Sequence, residues 1–451
     1  MKLFEGSEIS IKGVITKHNG YRGNKQYVLT DGKDNFELIS SFPLDVGTAV
    51  NVSGKVENHY GIMKIKLSSF ETLDETEYSN IEQISKNSFL PLEKGFLVKD
   101  EHIEKLKEDF LSLAKKLYSI QKLGKGIIVR FHNDGDGICG ALSLSSFLKA
   151  KYVQQNSAIY SVKDALRDIN DLSNYYKSVI ILVDFGSNEE SKDGLSLINS
   201  AGIEIISIDH HPYSQEITPL LTSNLNPWKS IDPEIASKYT AGYLCSELSR
   251  LFGYENIKYP LISLCSDKSD LLKCNEEHIN SGIVLNYAAA YSGHNSSLDF
   301  YLNILSNKHL FHSILMQANE KIEELISISK KQIKEKECGK FKLFYLNLGS
   351  LVKKFEFPGI GKSATQIFEY LIKSEQNFIL VAYGPKTVVL RITPTAFENG
   401  ADAREIISHI KNSMPDFIIS GGGHSKASAI RIKEGFETSI FPELESFLSL
   451  K

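Results

Sequence analysis

The sequence predicts an α/β protein: a parallel-sheet central unit, a smaller α/β unit after it, and a small β-barrel in front. Three observations carry this. From Gly126 onward, continuous apolar strand runs such as GIIVRFH and SVIILVDFG alternate with helical stretches, the pattern of a parallel sheet covered on both faces. Over 338–451 strands and helices mix again in a unit of their own. Before both, residues 6–70 break into short alternating runs with turn residues between them, as a small barrel does.

Taken in order, the barrel is expected within 1–75 as SEISIKGVITKH, QYVLTDG, NFELIS, TAVNVSGKVENH and GIMKIKLSSF. Turns fall at His18-Asn19-Gly20, Asp31-Gly32 and Tyr60-Gly61. Over 76–120 the alternation stops, and Ile103, Leu106, Phe110, Leu113 and Leu117 recur at helical spacing, which predicts a helical connector. The central unit, 121–275, opens with strand GIIVRFH, helix ICGALSLSSFLKAKY, strand SAIYSV and helix KDALRDINDLSNYY. It continues with SVIILVDFG, a helix around EESKDGLSLINSAG, the strand IEIISIDHH and the apolar run PLISLCS, also expected as a strand. A second helical connector spans 276–337. The last unit, 338–451, has strands FKLFYLNLG, FILVAYG, TVVLRIT and SAIRI with helices SATQIFEYLI and ADAREIISHI.

Of the 451 residues 42% are hydrophobic and 24% charged, a globular composition that excludes disordered and low-complexity classes. The net charge of −4 excludes a basic coat, so a polyanion would be met by local patches or by bound metal. The five cysteines make no C-x-x-C pair and are odd in number, which argues against a disulfide scaffold or zinc ribbon and for a reducing, cytoplasmic setting. No export signal or membrane-length apolar run is visible, so no membrane partner is expected.

Metal-type ligands close four of the expected strands: His132-Asn-Asp134-Gly-Asp136-Gly137, then Asp184, then Asp209-His210-His211, then Asp267-Lys-Ser-Asp270. In an extended stretch alternate residues project to one side, so His132, Asp134 and Asp136 are expected to converge. Ligands of open parallel sheets bind beyond the carboxyl ends of the strands, where the first three motifs are expected to fall. Each alone has an ordinary reading as a cap, a turn or a surface histidine pair. In this order, at successive element ends, they read together as a metal site. Carboxylate and imidazole ligands without thiolate suit Mn²⁺, Fe²⁺ or Zn²⁺.

The motifs H-N-D-G-D-G, V-D-F-G-S, D-H-H-P and C-S-D resemble the four motifs of the DHH phosphoesterase superfamily. Ser420-Gly421-Gly422-Gly423-His424 resembles the G-G-G-H signature of the DHH-associated C-terminal domain, and Arg391 matches that family's substrate-contacting arginine. The resemblance covers about 121–451 and, with the barrel in front, is nearest to archaeal RecJ-like exonucleases. It implies two Mn²⁺ or Mg²⁺ ions bridged by Asp184. His132 and Asp134 would complete one metal site, and Asp136, His210 and Asp267 the other. His211 would face the scissile phosphate, oriented by Asp209, and Gly421, Gly422, Gly423, His424 and Arg391 would hold substrate phosphate. The implied activity is exonucleolytic hydrolysis of single-stranded DNA or RNA, with replication or repair proteins as partners. A small-nucleotide phosphodiesterase like nanoRNases and a non-catalytic replisome scaffold are the alternatives. An inorganic pyrophosphatase shares the DHH motifs without the G-G-G-H domain and ranks behind them.

The barrel resembles an OB-fold, whose ligands lie on aromatic platforms and a basic groove. Tyr21, Arg22, Lys25, Tyr27, Phe36, Lys64 and Lys66 are the candidates, against the plainer expectation that Tyr27 and Phe36 are core. Gly359-Ile-Gly361-Lys362-Ser363 lacks the full phosphate-loop spacing and reads as a helix start with Ser363 near the cap.

Overall fold

The structure is a computed structural model that describes residues 3–19, 25–92, 94–292, 297–353 and 356–451. Five strands, β1 (Glu8–His18), β2 (Lys25–Thr30), β3 (Asn35–Ser40), β4 (Ala49–His59) and β5 (Ile62–Thr72), close a barrel in the order β1-β2-β3-β5-β4. Pairing is antiparallel except between β3 and β5, which gives the OB-type connection. Ile15, Leu29, Leu38, Val52 and Ile65 fill the interior. Tyr27 and Phe36 are buried with them, so neither is a stacking platform. Lys64 pairs with Glu37 at 2.8 Å and Lys66 with Glu57 at 3.3 Å, so two of the lysines expected in a basic groove face carboxylates. Tyr21 and Arg22 lie outside the described residues.

Helices α1 (Glu75–Ser88), α2 (Glu101–Glu104) and α3 (Lys107–Lys122) connect the barrel to the central sheet. Buried Lys125 fastens this connector to the base of the sheet, reaching Glu82 of α1 at 3.2 Å and Glu204 at 2.6 Å. Lys116 of α3 also reaches Glu204, at 2.9 Å.

The central unit runs β6 (Gly126–His132), α4 (Gly135–Ser145), β7 (Lys151–Gln155), α5 (Val162–Leu172), β8 (Ser178–Val183), α6 (Lys192–Ser200), β9 (Glu204–Ile208) and β10 (Ser223–Leu225). Short α7 (Pro233–Ala236), α8 (Ala241–Leu251) and α9 (Lys258–Ser266) follow. The sheet order is β10-β9-β8-β6-β7, all parallel. From β6 the chain goes outward to β7 and returns to the other side as β8, so the topological switch point lies at the ends of β6 and β8.

Three expectations are corrected here. The second strand is KYVQQ, not SAIYSV, because α4 ends at Ser145; Tyr160 of that segment is fully buried and donates to Asp168 Oδ2 at 2.7 Å. PLISLCS is helical within α9, for a short apolar run has no periodicity that separates strand from helix. Cys265 and Cys274 form a disulfide with Cα atoms 5.7 Å apart, where unpaired cysteines were expected.

Helices α10 (Glu276–Tyr291), α11 (Leu298–Ser306) and α12 (Lys308–Gln332) lead to the last unit. That unit is β11 (Lys334–Cys338), β12 (Phe341–Asn347), α13 (Ile360–Leu371), β13 (Phe378–Gly384), β14 (Thr387–Ile392) and α14 (Pro394–Glu398), then α15 (Ala403–Ser413), β15 (Ile418–Gly423), β16 (Ala427–Ile432) and α16 (Phe441–Ser449). Its sheet order is β11-β12-β13-β14-β16-β15, which places the glycine run in the edge strand β15. No helix among the described residues is long and apolar enough to cross a membrane.

Candidate metal centre

The switch point collects the expected ligands. His132 ends β6; Asp134 caps α4, accepting from the Gly137 N–H at 3.1 Å; Asp136 lies in the first turn of that helix. The three therefore converge from a strand end, a cap and a helical turn, not from one extended stretch. Gly137 allows this close turn, since a Cβ there would sit 2.4 Å from the His132 carbonyl oxygen. Asp136 is fully buried and accepts from the N–H groups of Ala241 (2.9 Å) and Gly242 (2.7 Å) and from Ser263 Oγ (2.5 Å), which ties α4 to α8 and α9. Asp184 follows β8 with φ of 67°, a left-handed backbone for a residue other than glycine. Asp209, His210 and His211 follow β9, and Asp267 terminates α9, a helix end and not the strand end expected.

Three ligand groups form, each with donor atoms within 4.8 Å of one another: His132/Asp134/Asp184, Asp136/His210/Asp267 and Asp184/His210/His211. His132 Nδ1 lies 3.1 Å from Asp134 Oδ2 and 3.5 Å from Asp184 Oδ2. His210 Nε2 lies 3.5 Å from Asp136 Oδ2, 3.4 Å from Asp184 Oδ1 and 3.4 Å from Asp267 Oδ2. Yet His132 Nδ1, Asp184 Oδ1 and His210 Nε2 are buried and make no hydrogen bond. Buried polar atoms rarely stay unsatisfied, and these lie within ligand groups whose donor atoms are all within 4.8 Å of one another. That arrangement, with hard oxygen and imidazole donors, fits divalent cations.

The electrostatics point the same way. Burial, reinforced by Asp184 and Asp267, pushes the Asp136 carboxyl well above its usual range. Burial would lower the His132 and His210 pKa values, but the surrounding carboxylates override it and raise both well above the ordinary imidazole value. So many acids held together are relieved by bound cations. Asp209 differs: burial opposes ionisation, but His211, His210 and Ser187 hold its pKa near 2. Ionised, it accepts from His211 Nδ1 at 2.8 Å, from the His210 N–H at 2.8 Å and from Ser187 Oγ at 2.5 Å.

A cleft of about 1250 Å³ opens from the ligands toward the C-terminal unit. His132, Asp184, Asp209 and half-exposed His211 form one wall, and Gly421, Gly422, Gly423 and Lys411 the other. The remaining expected substrate residues are placed apart from these walls. Arg391 donates to Thr365 Oγ1 at 3.2 Å and to the Gly361 carbonyl at 3.4 Å, and burial brings its pKa down to about 10. His424 stacks on Trp228 with centroids 5.7 Å apart, and burial with the nearby His211 and His210 charges lowers its pKa to about 4.

Sequence reading missed several contributors. Trp228 Nε1 donates to the His210 carbonyl at 2.8 Å, Asn286 Oδ1 accepts from the Gly135 N–H at 2.9 Å, and Lys362 Nζ stands 3.5 Å from Asp134 Oδ2. Lys362 alone carried a signal, the glycine-flanked G-I-G-K-S run.

Residues 126–259 match the DHH family, N-terminal domain. Uncharacterized protein MJ1198 of Methanocaldococcus jannaschii is 24% identical, with 96% of this chain and 67% of that protein covered. Among solved structures, the DHH domain of PF0399, described as belonging to a family of ribosomal proteins, superposes with a TM-score of 0.73 at 21% identity, covering 82% of this chain and 97% of that one. RecJ of Thermus thermophilus in complex with Mn²⁺ gives a TM-score of 0.51 at 15% identity, covering 82% and 59%. Residues 126–259 therefore carry a DHH-family N-terminal domain, and the fold around it is similar to those of the PF0399 DHH domain and of RecJ.

Proposed function

We propose that the chain is an exonuclease of single-stranded DNA or RNA that works with two Mn²⁺ ions, Mg²⁺ being the substitute. The observation that supports this best is the sharing of Asp184 between ligand groups at the floor of an interdomain cleft. His132, Asp134 and Asp184 would hold one ion, and Asp136, His210 and Asp267 the other, with Asp184, 3.4 Å from His210 Nε2, shared between them. Bound ions would lower the pKa of water and neutralise phosphate charge.

The residues then divide the remaining work. In the reaction the oxygen of water bonds to phosphorus, the bond to the leaving sugar oxygen breaks, and that oxygen takes up a proton. Ionised Asp209 requires His211 Nδ1 to carry a hydrogen, which leaves Nε2 facing the cleft to handle a proton beside the phosphate. Gly421, Gly422 and Gly423 lie on the opposite wall, and their backbone N–H groups would meet substrate phosphates. His424 and Arg391, outside the cleft lining, are assigned to neighbouring phosphates.

One observation favours a second reading, a phosphodiesterase of short oligonucleotides: the barrel's paired lysines and buried aromatics offer little track for a long strand. A time course with Mn²⁺ on end-labelled single-stranded DNA and RNA, labelled separately at each end, beside a dinucleotide, tests both. Stepwise shortening of long strands is expected. Cleavage of the dinucleotide alone would install the second reading, and no cleavage with metal bound would refute both.

A further inference from the structure

We propose that Lys362 is a catalytic residue of this site, an ammonium supplied by the C-terminal unit to hold a non-bridging oxygen of the phosphate under attack. The proposal rests on the phosphodiesterase reading above. Lys362 lies in the first turn of α13, and its side chain crosses to the central unit, where Nζ stands 3.5 Å from Asp134 Oδ2 and donates to Asn286 Oδ1. Asn286 also accepts from the Gly135 N–H, at the turn that carries Asp134 and Asp136. The ammonium is thereby held beside Asp134, within the ligand group His132/Asp134/Asp184.

A purely structural latch explains this poorly. The two units already have such an ion pair, between Lys268, next to Asp267, and Glu369 of α13. A second latch would tie up a carboxylate that the metal site needs. Lys362 is also 39% exposed, so burial does not force it into this pose.

Arg391 donates only to neutral acceptors, the carbonyls of Leu390 and Gly361 and the Thr365 hydroxyl, the last two on α13 itself. Among the described residues Asp134 is the one carboxylate in contact with Lys362, and Arg391 has none. Two cations beside the first turns of α13 thus face a carboxylate cluster across the gap. A phosphate fits between them, with metal on one side and ammonium on the other. Lys362 would donate N–H···O bonds to that oxygen while water bonds to phosphorus and the leaving oxygen departs with a proton.

The test uses the full chain with Lys362→Met, Lys362→Gln and Lys362→Arg. Four quantities are measured: melting temperature, Mn²⁺ affinity, affinity for inorganic phosphate in Mg²⁺, and hydrolysis of a labelled single strand. For Lys362→Met we expect kcat to fall about 100-fold or more, as when one preorganised donor is removed, with a smaller change in KM. Phosphate affinity should fall about tenfold, while Mn²⁺ affinity stays within about threefold. Lys362→Gln should behave like Lys362→Met, and Lys362→Arg should recover part of both losses. If the wild type cleaves no oligonucleotide, the functional reading fails, and the phosphate titration still decides the role of Lys362. The proposal is overturned if Lys362→Met keeps wild-type kcat and phosphate affinity. It is also overturned if its losses follow an equal loss of Mn²⁺ affinity or melting temperature.

Discussion

Gly137→Ala is the most exacting test of how the ligand turn is built. An alanine Cβ would lie 2.4 Å from the His132 carbonyl oxygen, 2.7 Å from its nitrogen and 2.9 Å from its carbonyl carbon. All three are backbone atoms, and the shortest contact falls about 1 Å inside ordinary van der Waals separation. The side chain cannot rotate away, so α4 must shift from the end of β6. Alanine gains about 1 kcal/mol over glycine inside a helix. Overpacking costs about 1–3 kcal/mol, so the net destabilisation is at most about 2 kcal/mol. For a unit of this size that lowers Tm by a few degrees, roughly 2–4 °C per kcal/mol. Activity should suffer more. The shift moves Asp134 and Asp136 against Asp184, and a misplacement of about 1 Å costs about 100-fold in rate. Calorimetric Mn²⁺ titration, thermal melting and strand hydrolysis on one preparation read all three effects. Turnover within twofold of wild type and unchanged Mn²⁺ affinity would refute the account of the turn.

Three further outcomes are expected. Asp184→Asn should reduce turnover by about 1000-fold or more and abolish the Mn²⁺-induced stabilisation, which in the wild type should reach about 2.7 kcal/mol at one hundred times Kd and vanish with chelator; retained turnover with normal metal content would remove Asp184 as the shared ligand. His424→Ala should weaken capture of a 5′-phosphorylated oligonucleotide about tenfold while leaving Mn²⁺ affinity unchanged, checked by fluorescence anisotropy beside calorimetry. Glu204→Gln tests the fastening at the base of the sheet. Burial would raise the Glu204 pKa, but Lys125 and Lys116 more than offset it and hold it below its ordinary value. A depressed folded-state pKa gives stability that is present above the unfolded value and lost as pH falls through the folded one. Glu204→Gln should therefore cost about 1–3 kcal/mol near pH 7, and the difference from wild type should shrink in acid; a pH-independent difference in denaturant melts would show that packing, not charge, is at work.

Much of the fold was legible because its signals are local. The buried strands GIIVRFH and SVIILV announce a parallel sheet through unbroken apolar runs, and barrel strands β1 to β5 announce themselves through alternation. PLISLCS failed for the same reason in reverse: seven apolar and small residues satisfy either period, and packing against α4, α8 and α10 made it a helix. SAIYSV failed because α4 stops at Ser145, earlier than its apolar run suggests, which leaves KYVQQ to form the strand. Tyr27 and Phe36 show the limit for aromatics, since alternation alone does not tell which face of a closed barrel is its interior.

The sequence by itself determined which residue types stand at the site and at which element ends, because backbone rules place caps, turns and strand ends locally. His132, Asp134, Asp136, Asp184, His210 and Asp267 were singled out by the resemblance of their motifs to those of a known family, and in the structure they lie in adjoining clusters. Only the tertiary structure decided what those groups face. The path from β6 out to β7 and back to β8 sets His132 and Asp184 side by side, and α13, more than two hundred residues away in the chain, brings Lys362 against Asp134. Such juxtapositions depend on how whole units dock, and no spacing within a motif encodes them.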